Sequence, residues 1–223
     1  MSNFTTWRSL VDGEEIGAIP DSDIYLQDDW GDNKLTDRED SGTTTHNDVE
    51  GVYRPEWIVD SDDVGVTNES LHAEEGGEVR TEINLNLDET ITWEWTNVDI
   101  SNAGSSANHG LQLWAEGTDW TAFPPGMYPG YVVEFSTSDG GRVRLHKVDD
   151  SGSGENLTEE TGVGDTIDIE VTRESDGSWS ISVDGGDPQT ATDTTHDSPE
   201  HIGFKARNQG NSENIRVGEI KVF

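Results

Sequence analysis

The sequence contains no cysteine and no long apolar run, and both absences limit what the chain can be. Without cysteine it forms no disulfide bond and no thiolate metal site. Every apolar segment is shorter than the roughly 18 residues of a membrane span, and the stretch Met1–Ile19 lacks the basic start and apolar run of a secretory signal. We therefore predict a soluble chain with no membrane insertion.

Basic residues are scarce as well. Lys and Arg number 13 against 47 Asp and Glu, which gives a formal net charge of -34. Such a charge strains a compact fold by self-repulsion, whereas molar salt shortens the Debye length to about 3 Å and screens the repulsion. The composition resembles that of haloarchaeal proteins, and an acidic extracellular protein from a moderate environment is the alternative. Because the charge repels nucleic acid and anionic lipid, we predict neither as a partner.

The sequence has instead many aromatic residues and a short-period alternation of apolar and polar residues. Its 8 Trp can supply a core. From Val52 onwards, short alternating runs lie between turn signals such as Asp139-Gly140 and Asp176-Gly177, a pattern typical of a sandwich. We predict one all-β domain over residues 24–223. The inward-facing sets are Ile91-Trp93-Trp95, Leu111-Leu113-Ala115, Tyr131-Val133-Phe135, Val143-Leu145, Ile167-Ile169-Val171, Trp179-Ile181-Val183 and Ile202-Phe204-Ala206.

Residues 1–23 are set apart from these strands. Trp7, Leu10, Ile16 and Ile19 are scattered there among polar residues. A segment of this kind cannot bury its apolar side chains by itself. We predict an N-terminal arm that packs on the domain or docks onto a partner during assembly.

Six short segments, in this order along the chain, carry a family resemblance. They are Asp28-Asp29-Trp30, Pro55-Glu56-Trp57-Ile58-Val59, Glu69-Ser70-Leu71-His72-Ala73, Ile181-Ser182-Val183-Asp184-Gly185, Ile202-Gly203-Phe204 and Asn214-Ile215-Arg216-Val217. Their order and spacing resemble the concanavalin-A-like lectin/glucanase (laminin-G-like) jelly rolls, which implies a sandwich of two antiparallel sheets. The opening segments Leu10-Val11-Asp12-Gly13 and Ile19-Pro20-Asp21-Ser22 are similar to the N-termini of modules from haloarchaea and their tailed viruses.

The strand that would carry catalysis in a glucanase is incomplete. That family's pattern is Glu-x-Asp-x-Glu or Glu-x-Asp-x-x-Glu, in which the carboxylates serve as nucleophile and acid/base. The nearest match is Thr166-Ile167-Asp168-Ile169-Glu170, with Thr166 at the nucleophile position. We therefore predict that the chain is not an enzyme and that Asp168 and Glu170 lie on the solvated face of a strand. The sequence also contains no close histidine pair and no Gly-x-Ser-x-Gly motif.

These patterns require no cofactor, but they allow one structural Ca²⁺ ion. The runs Asp60-Ser61-Asp62-Asp63 and Asp149-Asp150 offer the oxygen ligands that calcium prefers. Chance clustering among so many carboxylates is the alternative.

Candidate binding residues are those that break the alternation or the acidity. Strict alternation places Trp114 beside Gln112 on the face opposite the apolar set, where an exposed indole next to an amide suits a sugar. Trp120 and Tyr128 belong to an aromatic, proline-rich loop that either contacts a ligand or caps the sandwich.

A small basic strip is the second candidate binding surface. Arg144 and His146, with Arg142, interrupt the acidic shell. They suit a carboxylate-bearing glycan or an acidic neighbouring subunit, and pairing with Glu134 across the hairpin is the alternative.

Together these features favour a non-catalytic structural protein of a haloarchaeal tailed-virus virion, in the tail, a fibre, a spike or the capsid surface, assembled in the host cytoplasm at high salt. The expected partners are further copies of the chain, other virion proteins and a host surface glycan or glycoprotein. The alternative is a carbohydrate-binding lectin domain of a haloarchaeal surface or secreted protein. A glycoside hydrolase, the third hypothesis, would need a second carboxylate about 5–9 Å from Glu170.

Overall fold

The structure is a computed structural model. It describes residues 26–30, 45–46, 49–50, 57–59, 64–66, 68–74, 77–83, 85–104, 109–116, 129–151, 153–206 and 214–223. Among these segments there is no helix long and apolar enough to cross a membrane. The predicted arm, residues 1–23, lies outside the described residues, so its docking role stays a prediction.

The described chain is built almost wholly from short strands. The first nine are β1 (Leu26–Asp28), β2 (Thr45–His46), β3 (Val49–Glu50), β4 (Ile58–Val59), β5 (Val64–Val66), β6 (Leu71–Glu74), β7 (Glu78–Glu82), β8 (Ile91–Asp99) and β9 (His109–Ala115). The rest are β10 (Gly130–Ser136), β11 (Arg142–Val148), β12 (Gly154–Thr161), β13 (Thr166–Arg173), β14 (Ser178–Val183), β15 (Gln189–Thr192), β16 (His201–Ala206), β17 (Asn214–Val217) and β18 (Glu219–Val222). A single 3-10 turn, Ser138–Gly140, joins β10 to β11.

Two antiparallel sheets form the sandwich, as predicted. A seven-stranded sheet has the order β12-β11-β10-β9-β16-β7-β4. A nine-stranded sheet has the order β15-β14-β13-β8-β17-β6-β5, and its β18 pairs with both β8 and β1. Strands β2 and β3 form a separate pair. Because sheet neighbours such as β7 and β16 are distant along the chain, the sheets bring together residues that are far apart in sequence.

The core lies between the sheets and is rich in tryptophan. Trp93 of β8, Trp114 of β9 and Trp179 of β14 are at most 1% exposed. Their ring centroids lie 5.3 to 6.0 Å apart, and Tyr131 packs edge-on against Trp114 at 4.8 Å. Aromatic contacts of this kind contribute about 0.5–1.5 kcal/mol each beyond the area that they bury. The predicted inward set Ile91-Trp93-Trp95 is confirmed.

Two of the segments that carry the family resemblance meet in space. The Trp57 indole N–H donates to Asp28 Oδ2 at 2.7 Å, and the backbone N–H of Trp30 donates to Asp28 Oδ1 at 3.0 Å. The two indoles pack with their centroids 5.4 Å apart. Since Asp28 ends β1 and Trp57 precedes β4, this buried contact links the ends of the two sheets.

A polar joint around Asp193 links the same two layers elsewhere. Asp193 directly follows β15 of the nine-stranded sheet. It accepts a hydrogen bond at 2.5 Å from the Tyr131 hydroxyl and one at 2.8 Å from Lys147 Nζ, both in the seven-stranded sheet. Burial favours the neutral acid, but the hydrogen bonds from Lys147 and Tyr131 outweigh it and lower the pKa of Asp193 to about 2. The carboxylate is thereby held ionised between the sheets.

Glycine lies at a hairpin turn and at a break between two strands. Gly177, with φ of 83°, closes the β13–β14 hairpin in a conformation that few other residues adopt. Gly218 separates β17 from β18, and its N–H donates to Thr96 O at 3.0 Å. The apolar parity changes at Gly218, since Val217 and Ile220 are both buried.

Candidate ligand-binding groove

A shallow groove lies on the outward face of the seven-stranded sheet. It runs over three adjacent strands, β7, β16 and β9. The β7–β16 register is continuous, whereas the β16–β9 register shifts between His201 and Gly203. We call it the β7–β16 groove. Its lining consists of Glu78, Val79, Arg80, Gln112, Ala115, His201, Ile202, Gly203, Phe204 and Lys205.

The floor of the groove is a glycine on β16. In this strand Ile202 and Phe204 face the core, so His201, Gly203 and Lys205 face outwards. A Cβ on Gly203 would lie only 2.5 Å from Val79 O, so a larger residue would push β7 away. The missing side chain lets β7 approach β16 closely at this point.

Two cations share one carboxylate at the groove. Arg80 Nη1 lies 3.1 Å from Glu78 Oε1, and Lys205 Nζ lies 3.7 Å from Glu78 Oε2. The Glu78 side chain is only 6% exposed, so the pair with Arg80 is screened little by solvent. The three side chains form a polar wall along β7 and β16.

Gln112 and His201 supply polar atoms without partners. Gln112 Nε2 donates to Trp114 O at 2.7 Å and to Tyr131 O at 3.1 Å, which fixes the amide. Within the described part of the chain, Gln112 Oε1 and His201 Nδ1 are buried and have no hydrogen-bond partner. Burial lowers the pKa of His201, and the nearby Arg80 lowers it further.

The prediction of an exposed Trp114 is wrong. In β10, Tyr131 and Val132 are consecutive, but they pair with Trp114 and Gln112, so β9 contains one extra residue, Leu113. This β-bulge turns Trp114 into the core, where it is 0% exposed. Gln112, which precedes the bulge, keeps its outward position and lines the groove. Trp114 therefore cannot contact a ligand there.

The predicted basic strip is paired within the chain. His146 Nε2 lies 2.6 Å from Glu134 Oε2, and Arg144 Nη1 lies 3.7 Å from the same oxygen. Arg144 Nε also donates to Glu159 Oε2 at 2.9 Å. The internal alternative given above therefore describes this strip, and Arg144 and His146 do not line the groove. Trp120 and Tyr128 lie outside the described residues, so their binding roles stay predictions.

The solved structures that resemble this chain include two carbohydrate recognition domains. The Emp47p carbohydrate recognition domain aligns with a TM-score of 0.60 at 12% identity, over 93% of this chain and 99% of that one. The Emp46p domain aligns with a TM-score of 0.56 at 16% identity, over 75% and 87%. The VIP36 exoplasmic/lumenal domain, solved with Ca²⁺ and Man3GlcNAc, aligns with a TM-score of 0.54 at 12% identity, over 75% and 84%.

The fold is that of a concanavalin-A-like lectin. No protein-family model matches the sequence, and a comparison with curated proteins finds no match either. The likeness therefore lies in the concanavalin-A-like architecture, which the sequence resemblance predicted.

The sequence allowed one structural Ca²⁺ ion, at residues 60–63 or at Asp149-Asp150. The described residues contain no group of three or more His, Asp or Glu side chains that fits a metal ion. Asp149 Oδ1 is instead occupied by the N–H and hydroxyl of Ser151 and by the N–H of Ser153. The other acidic run, residues 60–63, lies outside the described residues, so a structural Ca²⁺ stays a prediction.

The glucanase-like strand of this concanavalin-A-like fold faces away from the groove. On β13, Glu170 is exposed and pairs in register with Glu94 of β8, so a second carboxylate does lie beside it. Burial raises the pKa of Glu94, Lys221 opposes that rise, and Glu170 adds to it. This pair lies on the nine-stranded sheet, whereas Glu78 is the one carboxylate among the described residues of the groove. Glycoside hydrolysis needs two carboxyl groups about one sugar bond.

Proposed function

We propose that this chain is a non-catalytic carbohydrate-binding domain whose ligand site is the β7–β16 groove. The observation that carries the proposal is the groove itself, where side chains of three strands, Arg80, Gln112 and His201, meet beside Gly203. The carbohydrate recognition domains that share the fold add support.

A glycan array in molar KCl tests this proposal with a pair of histidine variants. His201→Ala removes an imidazole that lines the groove, and His72→Ala removes one from β6 on the opposite sheet. We expect glycan binding by the wild type, a loss of about tenfold or more in His201→Ala, and wild-type affinity in His72→Ala. Tryptophan fluorescence checks that both variants fold. Equal glycan binding by the two variants would show that the groove is not the site.

A place on a virion remains a second proposal, and it refines the first. A carbohydrate-binding domain on a haloarchaeal tailed virus would attach the particle to host surface glycans, and residues 1–23 would dock it onto other virion proteins or further copies of the chain. The acidic composition, with a net charge of -34, supports a high-salt setting. Mass spectrometry of purified virions tests the location, and light scattering in molar KCl tests self-association. A monomer that is absent from virions would end this proposal and leave the first intact.

A further inference from the structure

Arg173 is a buried cation at one end of the sandwich. It is the last residue of β13, continues the inward-facing side of that strand and is only 5% exposed. Its neighbours in register are apolar, Ile91 of β8 and Trp179 of β14. Its guanidinium carbon lies 5.6 Å from the centroid of the Trp114 ring of the opposite sheet. The charge is therefore placed between the two sheets and largely out of water.

No carboxylate balances this charge within the described residues. The partly buried cations of the same segments all form salt bridges, namely Arg80, Arg142, Arg144, Lys147, Lys205 and Lys221. Arg173 is more deeply buried than any of these and forms none. Burying a charge without a counter-charge is unfavourable, because the interior solvates it poorly. The acidic residues of the described chain thus leave the charge of Arg173 unpaired.

The acidic residues next to Arg173 in sequence are held by other groups. The Glu174 carboxylate accepts a hydrogen bond from Thr90 Oγ1 at 2.5 Å, and Asp176 Oδ1 accepts one from the Ser178 N–H at 2.9 Å. Hydrogen bonds from Ser178 lower the pKa of Asp176, and the charge of Arg173 adds a smaller effect. Asp176 is thus close enough to sense the guanidinium without pairing with it.

The guanidinium has one bonded side and one free edge. Nη1 donates to the backbone oxygens of Leu87 at 3.1 Å and of Glu174 at 3.2 Å. Nε is buried without a hydrogen-bond partner, and Nη2, which is not among the buried atoms, also donates to none in the described chain. Nε–H and Nη2–H point the same way from the planar group, in the fork that binds an anion side-on. The bonds of Nη1 hold this free edge in a fixed orientation.

We propose that the free edge of the Arg173 guanidinium binds a small inorganic anion, which is chloride in the brine to which the acidic composition is suited. In molar salt the Debye length is about 3 Å, so the distant carboxylates of the chain hardly repel an anion. An ion in contact with the guanidinium keeps its attraction. A side chain that is 5% exposed admits a monatomic ion but no saccharide. The site is therefore separate from the β7–β16 groove, and it stands whether or not that groove binds a glycan.

Crystals of the wild-type chain grown in molar KBr test the site directly, because bromide substitutes for chloride and is located by its anomalous scattering. We expect an anomalous peak in contact with Nε and Nη2 of Arg173. Arg216 of β17 is exposed and serves as the internal comparison for unspecific binding. Bromide at Arg216 but not at Arg173, or at neither residue, would overturn the proposal.

Thermal unfolding measures what the anion contributes to stability. Potassium chloride replaces potassium glutamate stepwise at a constant molar concentration of potassium. Because a ligand of the folded chain stabilises it, we expect the unfolding midpoint of the wild type to rise to a plateau, by about 2–4 °C in total. Arg173→Met, which keeps an unbranched side chain without the charge, should lose this rise, and Arg216→Met should keep it. An equal rise in Arg173→Met and the wild type would overturn the proposal. If Arg173→Met does not fold, the bromide crystals of the wild type decide.

Discussion

The outward faces of the two sheets carry acidic residues in different ways. On the nine-stranded sheet, β13 alternates strictly, with Asp168 and Glu170 exposed and Ile167 and Ile169 buried. On the seven-stranded sheet, β10 is buried on both faces, and the Glu134 side chain is only 3% exposed. Asp168 and Glu170 on the first face are solvated, whereas Glu78 and Glu134 on the second contact cations. The first face is suited to the solvent in which the protein works, and the second is the one that holds the candidate site.

Replacing Trp114 should have the largest effect on stability. It tests which side of the seven-stranded sheet that residue occupies. Trp114→Ala removes a fully buried indole from the cluster with Trp93 and Trp179. We expect a loss of about 3–5 kcal/mol in the free energy of unfolding, measured with denaturant in molar KCl. Trp114→Phe, which keeps an aromatic ring in the core, should lose less. Full stability together with lost glycan binding would instead indicate that Trp114 lies on the outward face.

Glu134→Gln tests whether the second face depends on its buried ion pairs. Glu134 Oε2 lies 2.6 Å from His146 Nε2 and 3.7 Å from Arg144 Nη1. The amide keeps the shape but loses the charge that both partners contact, so we expect a loss of about 1–3 kcal/mol in stability. Thermal unfolding of this variant beside Glu159→Gln, whose carboxylate is more exposed, measures the difference. A loss no larger than that of Glu159→Gln would mean that burial adds nothing at Glu134.

The alternation of apolar and polar residues correctly predicted the strands that have one face in solvent and the other in the core. In β8 and β13 a period of two is enough, because water on one side and core on the other impose it. In β9 the same rule failed at Trp114, since a single extra residue, Leu113, reverses the facing and leaves no mark in the sequence. The rule also placed Glu134 outwards correctly but could not reveal that an outward residue is buried.

The groove was missed because its polar residues come from separate strands. Glu78 and Arg80 belong to β7, whereas His201 and Lys205 belong to β16, and only the register between the two strands brings them together. Each strand alone shows ordinary outward polar residues. One signal was present in the sequence, since Gly203 interrupts the apolar run Ile202-Gly203-Phe204, and a glycine inside a strand often marks a close approach of backbone or ligand.

Asp193→Asn tests the polar joint that links the two sheets. Its effect on stability should depend on pH. The folded-state pKa of Asp193 is lowered to about 2 from the ordinary 3.8, so its ionisation stabilises the fold above the ordinary value. We expect the variant to lose about 1–2 kcal/mol near neutral pH. The difference from the wild type should shrink as the pH falls from about 4 through about 2, and a pH series of unfolding curves measures it. If the difference in unfolding free energy between the variant and the wild type grew on acidification, it would contradict a lowered pKa of Asp193.

Glu170→Gln, on the solvated face, should have the smallest effect and the opposite sign. Glu170 and Glu94 are direct cross-strand partners of like charge, and such pairs destabilise a sheet. Removing one charge should therefore stabilise the fold by about 0.2–1 kcal/mol at low salt. At molar salt the gain should vanish because the repulsion is already screened. Unfolding curves at the two salt concentrations give the result, and Glu134→Gln should remain destabilising in both. A salt-independent gain in Glu170→Gln would mean that packing, and not charge, distinguishes the two faces.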